Sequence, residues 1–165
     1  MNSNKILRWI ECDGGPHLVL EKRQGPNCPL HYDRACEIED YVGVIPVADG
    51  YAIVIFDDVQ RSAWIPGMDG QGGYLVVWNY CAEGINDQVI SGKITAIPDE
   101  LFNPTNLMIS FRDDTVYLFP ACDYGPDWAY GYSEIHIESG RYIIDTVERY
   151  DFEDCSFRVH RLRKI

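Results

Sequence analysis

The residues with the richest chemistry lie early in the chain. Cys28 and His31, followed by Cys36 and preceded by Cys12 on a turn, supply thiolates and an imidazole, the ligand types of a tetrahedral zinc site. Their spacing matches no zinc-finger pattern, so neither a metal nor any other cofactor is expected. His31, Asp33 and Cys36 also have the residue types of a thiol nucleophile with its base and orienting acid. They define one alternative function, a small hydrolase or thiol enzyme. The chain lacks a glycine-rich phosphate loop and the His-Glu-x-x-His and Gly-x-Ser-x-Gly motifs, so a non-enzymatic role is favoured.

A second group of residues suits contact with another macromolecule. Asp57 and Asp58 end a strand, while Asp123, Tyr124, Asp127, Trp128 and Tyr130 form an acidic and aromatic loop. Aromatic rings bury much area with few torsions frozen, and surrounding charge steers a partner. The same loop supports another alternative, a β-rich module that binds sugar or peptide. Arg34, between Asp33 and Glu37, is expected to form a local ion-pair cluster.

The elements that must position these residues read mainly as β. Residues 5–11 and 17–21 are expected to form a hairpin about the Gly14–Gly15–Pro16 turn. Residues 31–41 suggest a short helix. Val42–Val47 and Tyr51–Phe56 flank a tight turn at Ala48–Asp49–Gly50. Tyr74–Cys81, apolar on both faces, suggests a central strand. Val89–Ile97 reads as a strand bent at Gly92, and Pro98–Phe102 as one helical turn. Leu107–Phe111 and Thr115–Phe119 read as another hairpin, and three strands from Ser133 to Leu162 as a meander. The fold class is therefore mainly β, with about ten short strands in an antiparallel meander, sandwich or open barrel and little helix. One domain spanning 1–165 accommodates this length.

The net charge of −12 is unevenly distributed: residues 33–154 hold 23 acids and 6 bases, and the two ends together hold 3 acids and 8 bases. That field disfavours nucleic acid and anionic membrane and favours a basic partner. The basic C-terminal residues Arg158, His160, Arg161, Arg163 and Lys164 are expected to pair with the acidic middle, within the fold or across a homodimer. The N-terminus lacks the apolar core of a secretory signal, which implies a cytoplasmic protein with its six cysteines reduced.

Three pieces in order, Trp9–Ile10–Glu11 leading to Gly14–Gly15–Pro16, Tyr32–Asp33–Arg34–Ala35–Cys36, and Tyr41 through Gly43 to Val47, resemble the immunity protein 21 family. The resemblance runs from residue 9 to about residue 58, and more loosely through Trp64, Trp78 and Tyr80. It implies a mostly β antitoxin, a small bacterial protein encoded beside a polymorphic toxin that neutralises the toxin by binding it. In that reading Trp9, Gly14, Gly15, Pro16, Asp33, Arg34, Cys36 and Gly43 are structural. Cys12 stands where a small residue such as serine is expected.

Overall fold

The computed structural model describes residues 7–24, 28–56, 58–122 and 131–165. Among them, eleven strands form two antiparallel sheets. The first sheet runs in the order β1 (Ile10–Glu11), β5 (Arg61–Pro66), β6 (Gly72–Cys81), β11 (Cys155–Lys164), β10 (Gly140–Phe152) and β7 (Asn103–Phe111). The second runs β3 (Val42–Val47), β4 (Gly50–Ile55), β2 (His17–Glu21), β8 (Thr115–Pro120) and β9 (Ser133–His136). A sandwich results, with Ile53, Ile55, Val116 and Leu118 of the second sheet packed on Leu75, Val77, Ile144 and Leu162 of the first.

Both outer faces are also apolar, and each is covered. Val76, Phe157 and Val159 of the first sheet pack against Ile90 and Ile94 of α2 (Asp87–Thr95) and against Phe102. Trp9 joins this layer edge-on to Trp78, with ring centroids 5.2 Å apart, and its indole N–H donates to Asp87. Leu18, Leu20 and Val54 of the second sheet pack beneath Ala35 of α1 (Cys28–Ala35) and Ile38.

The expected β3–β4 hairpin, the central position of β6 and the β10–β11 hairpin all form. A short 3-10 turn at Asp99–Leu101 occupies the expected helical turn. Five expectations are corrected. Residues 5–21 do not form a hairpin: β1 pairs with β5 in one sheet and β2 with β4 and β8 in the other. The Gly14–Gly15 turn carries the chain between layers, with φ +103° and +96° at the two glycines. β7 and β8 are divided between the sheets in the same way, with the buried Glu21 carboxylate accepting the amide N–H groups of Arg112 and Asp113 at the crossing. β9 pairs with β8 rather than continuing into β10.

Residues 87–95 form a helix rather than a strand. The Asn86 side chain accepts the Val89 amide N–H as an N-cap, and Ile90 and Ile94, four apart, bury one face. The β-branched residues that suggest a strand are thus used as a helical stripe. The cysteines are not all reduced, because Cys81 and Cys155 are directly opposed on β6 and β11 and form a disulfide.

Candidate partner-binding surface

The structure gives the surroundings of several residues singled out from the sequence. Gly14 sits at φ +103°, a backbone conformation that other residues rarely adopt, and its Cα faces the Asp58 carboxylate closely enough that a Cβ there would lie 2.8 Å from it. Pro16 is buried, and its carbonyl accepts the Ala121 N–H at 2.8 Å. Gly43 is buried against Ile38, with a Cβ at this position falling 2.5 Å from Ile38 Cδ1. This glycine lets the segment after α1 fold tightly onto β3. Asp58 is exposed, with φ +54°. Asp57, Asp123, Tyr124, Asp127, Trp128 and Tyr130 lie outside the described residues, as does the Cys28 side chain.

The local ion-pair cluster around Arg34 is corrected. Arg34 forms no salt bridge with Asp33 or Glu37; its Nη1 donates instead to the Pro46 carbonyl at 2.8 Å. All three side chains are exposed. Solvent screening leaves little to gain from such a pair, and the guanidinium instead meets a carbonyl on the outer edge strand β3.

The His31, Asp33 and Cys36 constellation is also separated. Positions 31 and 33 project from different faces of α1, with His31 buried at 4% exposure and Asp33 and Cys36 exposed. Cys36 instead contacts Tyr32 and raises its phenol pKa by hydrogen bonding and charge. Burial, and then the Arg34 charge, push the His31 imidazole down.

The closer thiol and imidazole are Cys12 and His17, at 3.2 Å from Sγ to Nε2, and His17 Nδ1 lies 2.6 Å from Ser62 Oγ. This relay joins residues of both sheets through the crossover turn. Sequence spacing gives no sign of it beyond two residue types five positions apart. Burial pushes the Cys12 thiol up, with Cys122, Asp13 and Asp58 adding to the effect. Burial also lowers His17 to about 3. Both shifts favour a neutral thiol beside a neutral imidazole, the opposite of the thiolate–imidazolium pair that makes cysteine a strong nucleophile. The relay therefore satisfies buried polar groups.

Of the basic end, Arg161, Arg163 and Lys164 pair with acids within the fold as expected, whereas His160 is a buried imidazole 2.8 Å from the Thr146 hydroxyl. Arg161 and Arg163 both contact Asp145 Oδ2, at 3.0 and 2.7 Å, while Arg161 also reaches Asp99 at 2.6 Å and Lys164 reaches Glu138 at 2.7 Å. Burial raises the Asp145 pKa, but the hydrogen bonds and charges of Arg163 and Arg161 outweigh it and hold the carboxyl below its ordinary range.

A different arrangement occupies the gap between β3 and β7, the edge strands of the two sheets. A groove of about 580 Å³ opens there, with Glu37, Glu39, Asp40 and Glu148 among its lining groups and Val44 and Leu107 supplying apolar surface. Among the described residues, none of these four carboxylates forms a salt bridge. Tyr41, 37% exposed, lines the groove and is backed by the Arg158 guanidinium 4.2 Å from its ring centroid. Arg158 Nη2 donates to the Phe56 carbonyl at 2.7 Å, which fixes this support to the residue that follows β4.

Family comparison matches residues 8–149 to the model for immunity protein 21. The chain belongs to the immunity protein 21 family. Neither the curated proteins nor the solved structures compared with it give a match. Family membership points to a non-enzymatic immunity role and to a toxin as the general class of partner. No helix among the described residues is long and apolar enough to cross a membrane.

Proposed function

We propose that this immunity protein binds and neutralises a cognate bacterial polymorphic toxin, and that the partner is a basic protein, a nuclease being the toxin class that best fits the charge. Family membership over residues 8–149 carries the reading. The net charge of −12 supports the choice of a basic partner. Inhibition follows from occlusion: complementary charge speeds encounter, and desolvated aromatic anchors slow dissociation.

Asp57, Asp58, Asp123 and Asp127 are the proposed steering residues, with Tyr124, Trp128 and Tyr130 as anchors. The test is co-expression and co-purification with the product of the adjacent reading frame. Protection from its toxicity, together with a stoichiometric complex, supports the function. A non-toxic product that does not bind removes its basis. In a bound pair, changing the four aspartates to lysine is expected to slow association at low salt, and an unchanged rate would reject the steering role.

A further inference from the structure

We propose that the groove between β3 and β7 receives a Lys- and Arg-bearing segment of the toxin; this rests on the toxin-binding reading above. Three observations argue for it. The groove volume, about 580 Å³, falls in the range of sites that bury a ligand or short peptide stretch. Glu37, Glu39, Asp40 and Glu148 place four carboxylates along it without salt bridges among the described residues. The Arg158 guanidinium behind Tyr41 leaves an excess of negative charge among the named groups. A cationic partner supplies the missing charge, and Val44, Leu107 and the Tyr41 ring accept the aliphatic stems of its side chains.

The edge chemistry selects this mode over strand addition. On β3, Pro46 lacks an N–H and its carbonyl already accepts from Arg34. On β7, Pro104 lies beside a register shift, with Asn106 at φ +63° and the Thr105 hydroxyl turned to the Ile144 carbonyl at 2.6 Å. A proline and a bulge interrupt the regular ladder that an added strand would extend. Recognition therefore falls to side chains meeting the carboxylates and Tyr41, with the backbone ladder interrupted at Pro46 on one edge and at Pro104–Asn106 on the other.

The test uses the adjacent reading frame's product, separated from its co-purified complex with this protein, and measures the dissociation constant. The groove variant Glu37→Gln/Asp40→Asn/Glu148→Gln is compared with the native protein and with Glu83→Gln/Asp114→Asn/Asp154→Asn. None of the latter three residues lines the groove. The proposal predicts affinity about 30-fold weaker for the groove variant, with a shallower salt dependence, and within about twofold of native for the control. Asp40→Lys alone provides a second variant and is expected to weaken binding by at least tenfold. Equal affinities for the groove variant, Asp40→Lys and the control would overturn the groove assignment while leaving toxin binding intact. Failure of the native protein to bind would overturn both.

Discussion

The Asp145 cluster and the β3–β7 groove use similar charged residues in opposite ways. Asp145 is buried at 5% exposure, and its carboxylate is held by Arg161 and Arg163 within the fold. In the groove, Glu37, Glu39, Asp40 and Glu148 are exposed and have no salt bridges among the described residues. A buried charge requires a partner from its own chain because desolvation leaves no other compensation. An exposed one is compensated by water until a partner displaces it. The difference teaches that net charge alone does not identify a binding surface; what matters is which charges the fold leaves uncompensated.

The largest effect that sharpens this contrast is acid sensitivity of the interior. His17 and His160 are held at about 3, against an ordinary 6.5, by burial, with Arg158 adding to the effect at His160. Between pH 6.5 and 3 the unfolded chain binds protons that the folded chain excludes. The stability present above pH 6.5 is therefore lost as pH falls through that window. At about 1.4 kcal/mol per pH unit for each imidazole, the loss approaches about 5 kcal/mol between pH 6.5 and 4.5. Urea unfolding at the two pH values measures it, and a flat profile would reject neutral buried imidazoles.

Next in size is Asp145→Ala, expected to cost about 3 kcal/mol by leaving Arg161 without its buried partner. A smaller effect is expected for Gly43→Ala: a Cβ 2.5 Å from Ile38 Cδ1 forces that side chain to move, costing about 1–2 kcal/mol. Chemical denaturation checks both. The smallest change is expected when the groove carboxylates become amides. Stability should stay within about 0.5 kcal/mol of native, even as toxin affinity falls. A large loss of stability there would assign the carboxylates to the fold.

The sequence makes the local elements more legible than their partners. A run of aromatic and β-branched residues apolar on both faces identifies β6, and the Ala48–Asp49–Gly50 turn marks the β3–β4 hairpin, because both signals are local. Assignment of β1 and β2, or of β7 and β8, to different sheets depends on nonlocal pairing that a turn signal does not encode. The α2 segment misleads because its β-branched residues favour a strand while Asn86, Ile90 and Ile94 complete a helix. The stretch from Asp33 to Gly43 identifies the family more readily than it reveals its geometry. Its acids suggest a local ion cluster, yet Glu37 and Asp40 line a groove whose opposite wall comes from residues 103–107. The Cys12–His17–Ser62 relay is hidden for the same reason, since Ser62 is 45 residues from His17 in the chain.

Hydrogen–deuterium exchange on the co-purified toxin complex tests the central claim most directly. The groove predicts slower exchange on binding at residues 37–44 and 103–107, with the α2 face at 87–95 unchanged. Protection confined to residues 87–95, with both groove walls exchanging as in the free protein, would contradict it.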